Sequence, residues 1–346
     1  MTFSVHRFDP PSFRPHRWRR GGHLQTLLAP RSSLRADDWK RLQQQIHSRK
    51  HRLPVSGGDT LVLHDDEPKT WQTNPRGSVL LLHGICGCHA ADYMIRFSQR
   101  LLQIGIRTFR LDMRGCGESI ELCRGITHAG RSEDVLASLQ LIGQLTEDTS
   151  APIGAIGTSL GGNQLLRAAG RVGAGLDDPP ANWDRIGPLL AIAPPVDLQA
   201  CSDHMESWTL RFYNRYFITQ LLDRAKTTLQ MREELGNLLD GPTPKTLRQF
   251  DRRITAPMAG FPDERAYYAS SSANVVTQHI SVPTMIVAAK DDPLVPVRSF
   301  TEIEARLPRP VRVLTMPTGG HHGFSQHDGT AWTDDLVAKL FNEAWP

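Results

Sequence analysis

The sequence has 346 residues, 39% hydrophobic and 22% charged, with 40 Lys/Arg against 36 Asp/Glu. That composition suits one large globular unit with insertions and excludes a disulfide-stapled scaffold, since only five cysteines are present. No apolar run approaches the ~20 residues that a membrane span needs. The odd cysteine count points to a reducing compartment, and Met1–Arg20 lacks the apolar stretch of a signal peptide, so a cytoplasmic location is expected.

The net charge of +4 is uneven. Residues 1–52 hold twelve Lys/Arg and three Asp/Glu, and the remainder 28 against 33. The simplest reading is an N-terminal arm, residues 1–70, that packs on its own acidic core. Arg14, Arg17, Arg19 and Arg20 around Trp18 make the arm a candidate for contact with an anionic membrane. They form no nucleic-acid motif, and no nucleic-acid partner is expected.

From Pro75 the pattern becomes regular. Val79–Leu82 reads as a buried strand ending in His83-Gly84, followed by a helix over Ala91–Leu102. Ile106–Asp112 is a second strand. Ser132 is a candidate cap for a helix carrying Val135, Leu139 and Ile142 on one face. Ile153–Ile156 is a third strand, with a helix from about Gly162 to Ala169. Leu189–Ala193, Thr284–Ala289 and Val311–Thr315 are further strands, and a helix capped near Thr330 closes the chain.

Strands alternating with helices predict a mainly parallel central sheet with helices on both faces. The core spans 71–196 and 281–346. Residues 197–280 break the rhythm and read as a helical cap insertion. There Trp208, Phe212 and Tyr216 fall at i, i+4 and i+8, a stripe read as core packing. As a lid lining it would favour apolar acyl chains.

Gly157-Thr158-Ser159-Leu160-Gly161 matches G-x-S-x-G with a strand before it and a helix after. Such a turn lifts the serine hydroxyl above the sheet at a helix N-terminus, where developing negative charge is favoured. A hydroxyl needs an adjacent base, and this arrangement supplies serine, acid and histidine in that chain order. Asp292 at the end of strand Thr284–Ala289 is the preferred acid, with Asp291 the alternative. His321 after the last strand is the preferred base, with His322 the alternative. The oxyanion donors are expected to be the N–H groups of Leu160 and, from the loop after Leu82, Ile85. His83 is read as fixing that loop.

Cys86, Cys88, His89 and Asp92 lack the paired spacing of a zinc site, and Cys201, His204 and Glu206 read as packing or capping. No dinucleotide or phosphate-loop fingerprint occurs. Neither a metal nor a cofactor is expected.

The chain resembles the YheT-type esterases, a subfamily of the α/β-hydrolase superfamily that includes eukaryotic abhydrolase-domain lipases. The resemblance runs nearly end to end. It rests on Gly22-His23-Leu24-Gln25-Thr26, His83-Gly84 with Gly87, Met113-Arg114-Gly115-Cys116 and Gly157 to Asn163. Ala200 to Glu206, Ala289-Lys290-Asp291-Asp292-Pro293 and Gly319-Gly320-His321-His322-Gly323-Phe324 complete the set. It implies an α/β-hydrolase fold with a helical cap, an N-terminal arm that is part of the fold, and carboxylesterase activity on medium-chain esters or acylglycerols. It implies the triad roles for Ser159, Asp292 and His321. Two departures are His322, where relatives more often carry an apolar residue, and Cys86, where they often carry an acid.

The leading expectation is ester hydrolysis through an acyl-enzyme. An acyltransferase using the same triad, and a non-catalytic binding protein on this fold, are the alternatives. Oligomeric state is not legible.

Overall fold

A computed structural model describes residues 3–31, 36–230 and 237–346. Parts of the arm (1–2 and 32–35) and of the insertion (231–236) lie outside the described residues.

The arm carries α1 (Gly22–Leu27) and α2 (Ala36–Gln43) and leads into β1 (Ile46–Pro54) and β2 (Thr60–Pro68). Then come β3 (Ser78–Leu82), α3 (Asp92–Gln103), β4 (Arg107–Asp112), α4 (Ser132–Leu145), β5 (Ile153–Thr158), α5 (Leu160–Gly173) and β6 (Ile186–Ile192). The stretch between β6 and β7 (Thr284–Ala289) holds α6 (Leu198–Met205), α7 (Arg211–Gln230), α8 (Leu247–Phe250), a π-helical turn over Asp251–Thr255, α9 (Ala256–Met258) and α10 (Glu264–Ser271). The chain closes with α11 (Arg298–Glu304), β8 (Val311–Met316) and α12 (Trp332–Ala344).

The eight strands form one sheet in the order β1-β2-β4-β3-β5-β6-β7-β8. From β4 to β8 every pairing is parallel, while β1 and β2 join antiparallel at one edge. Parallel strands need helical crossovers, so both faces are covered. Met94, Phe97 and Leu101 of α3 meet Leu336, Leu340 and Phe341 of α12 on one face. Val135 and Leu139 of α4 meet Leu165 and Leu166 of α5 on the other. Each such side chain, once buried, contributes about 1.5–3 kcal/mol of transfer free energy.

The strand order reverses between β3 and β5. Ligands bind at the carboxyl ends of strands beside such a switch point, and the turns after β3 and β5 carry Ile85 and Ser159.

The strands β1 and β2 were not foreseen. The reason is chemical. His64, Asp65, Asp66 and Glu67 of β2 are buried, although their charge gives no strand pattern in the sequence. Arg107 of β4 grips Asp65 with two hydrogen bonds of 2.8 and 2.7 Å and reaches Glu67 at 2.9 Å. Buried charges persist only when paired in this way. Arg49 and Lys50 of β1 add pairs with Glu67 and Glu118. Ser132 starts α4 but makes no side-chain cap.

The aromatic stripe is corrected: Trp208 is 78% exposed and Phe212 62%, with Tyr216 also exposed. Only the flanking Tyr213 is buried. An i, i+4, i+8 spacing reports one helix face, and here that face points outward.

Candidate active site

The turn after β5 is sharp enough to hold Ser159 at φ 52°, ψ −119°, a conformation that costs of order 1–3 kcal/mol for a non-glycine residue. Its surroundings enforce it. A Cβ on Gly161 would lie 2.6 Å from the carbonyl oxygen of His83, and one on Gly157 would lie 2.4 Å from that of Gly161. The Ser159 N–H donates to Ile192 O at 2.8 Å. Leu160 opens α5, where the first N–H groups have no intrahelical partner.

His321 Nε2 lies 2.9 Å from Ser159 Oγ, and His321 Nδ1 lies 2.9 Å from Asp292 Oδ2. A carboxylate only accepts, so Nδ1 carries the proton and Nε2 is left to accept from the hydroxyl. Asp292 Oδ1 accepts from the N–H groups of Leu294 and Val295 at 2.8 and 3.1 Å, which fixes the carboxylate in place. The row Ser159–His321–Asp292 can therefore draw a proton off the hydroxyl as it attacks a carbonyl.

The two alternatives stand elsewhere. Asp291 accepts from Gly319 N and Gly320 N at 2.9 and 3.0 Å and from Thr318 Oγ1 at 2.5 Å, so it braces the loop that carries His321. His322 is turned away at φ 58° and packs between Tyr93 and His321. Burial, reinforced by the charges of His321 and Arg96, pushes its pKa down to about 3. It is a neutral ring near neutral pH.

The loop after β3 is held from three sides. His83 Nε2 accepts from Met113 N at 3.2 Å, so Nδ1 donates to Gly84 O at 2.8 Å. Burial lowers the His83 pKa to about 4, which keeps it in this neutral form. Tyr93 Oη accepts from Gly84 N at 2.8 Å. Arg224 of α7 donates to the carbonyls of Cys86 and Gly87 at 2.6 and 3.1 Å. Gly87 N is spent on Gly84 O, and the loop's remaining donors include Ile85 N–H. Sequence reading singled out neither Tyr93, at the start of the next helix, nor Arg224, which acts from a helix far along the chain.

It also missed how the arm serves the site. A Cβ on Gly22 would sit 1.5 Å from Asp291 O. Thr26 Oγ1 donates to Gly22 O at 2.7 Å and accepts from His321 N at 2.8 Å. Gln25 Oε1 accepts from Ser325 N at 2.6 Å. The segment Gly22–Thr26 is thus a cradle for the histidine loop.

Two cavities meet at Ser159. A narrow one of about 120 Å³ runs between Leu198, Met205, Phe217 and Leu294. A wider one of about 580 Å³ opens outward past Leu27, Tyr93, Phe212 and His322. Ile85, Ser159 and His321 border both.

Metal-ligating residue types gather away from the serine. Cys88, His89 and Asp112 are close together, as are His64, His89 and Glu118. Asp112 accepts from His64 Nε2 at 3.1 Å, from His89 Nδ1 and N at 2.7 Å each, and from Glu118 N at 2.9 Å. Burial opposes its charge, but these bonds hold the carboxyl well below the usual range. The cluster is internally satisfied and clamps the loops after β3 and β4. All five cysteines are free thiols.

A family model for the α/β hydrolase fold matches residues 77–328. Escherichia coli (strain K12) YheT is 30% identical over 320 residues, covering 90% of this chain and 86% of that one. Medium-chain fatty acid ethyl ester synthase/esterase 2 of Saccharomyces cerevisiae is 26% identical, covering 82% of this chain and 66% of its own length. Among solved structures, Pyrococcus furiosus esterase Pf2001 superposes with a TM-score of 0.57 at 16% identity, covering 92% of this chain and all of that one. The chain belongs to the α/β-hydrolase family and, within it, to the YheT-type branch.

Proposed function

We propose that the protein is a serine carboxylesterase of lipase-like type, cleaving carboxylic esters through an acyl-enzyme on Ser159. The observation that carries this reading is the hydrogen-bonded row Ser159–His321–Asp292 at the junction of a narrow apolar cavity and a wider one. His321 takes the Ser159 proton as Oγ attacks the carbonyl carbon and returns it to the departing alcohol. Water then adds to the acyl-enzyme with the same histidine as base, releasing the acid. Leu160 and Ile85 N–H groups stabilise the oxyanion in both steps.

The narrow cavity is apolar and takes the acyl chain; the wide one takes the alcohol. Medium-chain esters or acylglycerols suit that division, and the name of the yeast relative points the same way. Transfer of the acyl group to an alcohol is the second reading, favoured by the room beside Ser159 for an acceptor larger than water. The five free thiols support a cytoplasmic location. Among the described residues no helix is long and apolar enough to cross a membrane.

The test is turnover of p-nitrophenyl esters of rising acyl length, with and without added glycerol. Turnover with free acid as product supports hydrolysis; glyceride products support transfer; no turnover of any ester refutes the reading.

A further inference from the structure

Nine large apolar side chains stand exposed among the described residues. A soluble surface carries such residues singly; a group of them marks a contact. Here six of the nine fall on two neighbouring elements. Leu24, Leu27 and Leu28 lie on and just after α1, and Trp208, Phe212 and Tyr216 on and just before α7. A seventh, Trp18, precedes α1.

The two elements are joined. His23 of α1 stacks on Tyr213 of α7 with ring centroids 5.7 Å apart, and its Nδ1 lies 3.1 Å from Tyr213 Oη. Their apolar faces flank the mouth of the wide cavity: Leu27, Phe212 and Tyr216 line it, together with Ser159 and His321. Arginines surround the patch. Arg14, Arg17 and Arg20 before α1 and Arg211 and Arg215 on α7 are exposed. Arg14, Arg17 and Arg20 form no ion pair among the described residues. The exposed acids nearest in sequence are Asp9, Asp37 and Asp38 on either side of α1 and Asp203, Glu206 and Asp223 on either side of the start of α7, and Asp92 stands on the cavity wall.

What covers this face must leave the mouth open. A second copy or a globular partner seated on both elements would seal the route to Ser159, and a second copy would also bring arginine against arginine. A bilayer with anionic headgroups satisfies both demands, because its own molecules are what would enter. Leucines and aromatic rings enter the headgroup–acyl boundary, while arginines meet the phosphates. We propose that the face built by α1 and the start of α7 docks on an anionic membrane surface and aligns the wide cavity with lipid esters held there. The second half of this statement, and the demand that the mouth stay open, rest on the esterase reading; the exposed apolar side chains and arginines that would meet the membrane do not.

The test uses full-length protein carrying Ser159→Ala, so that bound vesicles stay intact. Flotation is measured with phosphatidylcholine vesicles with and without phosphatidylglycerol, for that protein and for the same protein with Trp208→Ser and Leu28→Ser added. Neither added position lines a cavity at Ser159. Binding to the phosphatidylglycerol vesicles is expected, weaker without the anionic lipid, and about tenfold weaker in the triple variant. With Ser159 restored, the Trp208→Ser/Leu28→Ser protein is expected to hydrolyse a water-soluble short ester at the wild-type rate. It should lose about tenfold against the same ester chemistry embedded in vesicles. No vesicle binding, or binding unchanged by the two substitutions, overturns the proposal. So does a dimer in light scattering that those substitutions dissociate, since a second copy would then own the face. Binding that behaves as expected while the wild-type chain hydrolyses no ester leaves the docking standing and removes the esterase reading alone.

Discussion

The backbone N–H of His321 donates to Thr26 Oγ1 at 2.8 Å, so the imidazole beside Ser159 is positioned by the N-terminal arm. Misplacing a reacting group by about 1 Å can cost ~100-fold in rate. Thr26→Val keeps the shape and removes the acceptor. We expect kcat to fall about tenfold with KM changed less than about twofold, and Thr26→Ser to restore most of the loss. Steady-state kinetics on a soluble ester, with a melting curve to confirm folding, decide this.

Adjacent carboxylates with different partners should give different phenotypes. Asp292→Asn leaves the geometry but lets His321 adopt the wrong tautomer, and kcat is expected to drop about 10⁴-fold with little change in stability. Asp291→Asn weakens the brace on Gly319 and Gly320, and should cost about 1–3 kcal/mol of stability with a much smaller loss of rate. Urea unfolding and kcat, measured on both variants, would contradict the assignment if the two losses were interchanged.

His322 gives a pH signature. Folded, it stays neutral down to about pH 3, because burial and the neighbouring charges lower its pKa; unfolded, it takes a proton near its ordinary value of 6.5. Between those values the unfolded chain binds more protons, so stability is lost as pH falls through this window, by up to about 1.4 kcal/mol per pH unit. His322→Leu should flatten that slope relative to wild type, while leaving activity near neutral pH within a few-fold. His83 shifts the same way but is present in both proteins, so it cancels in the difference. Unfolding free energies at several pH values between about 4 and 6.5 provide the check.

Met205 lines the narrow cavity. Met205→Trp should shorten the preferred acyl chain, lowering kcat/KM for longer p-nitrophenyl esters about tenfold or more relative to acetate. A length profile unchanged by the substitution would place the acyl chain in the wide cavity instead.

The strand-turn-helix around Ser159 was legible because its signal is local: an apolar run, two glycines and a helix. The parallel core was legible for the same reason, since β3, β5, β6 and β7 are short apolar runs buried on both faces. The edge strands β1 and β2 were not, because β1 is mostly exposed and the second half of β2 buries acids whose partners, Arg107 among them, lie far along the chain. The choice between Asp291 and Asp292 also depended on geometry that adjacent residues do not reveal. Gly22, Gln25 and Thr26 were visible only as part of a family motif; their task of cradling residues 319–325 is a tertiary relation. The stripe Trp208–Tyr216 misled because periodicity identifies a helix face without saying what covers it.

The central claim is that Ser159 is the nucleophile. Intact mass after treatment with a fluorophosphonate tests it most directly, run on the wild-type protein and on Ser159→Ala. The account predicts one adduct on the wild-type chain, located at Ser159 by peptide mapping, and none on the variant, with ester turnover lost in parallel. Equal labelling of both proteins, or turnover that survives in Ser159→Ala, would contradict it.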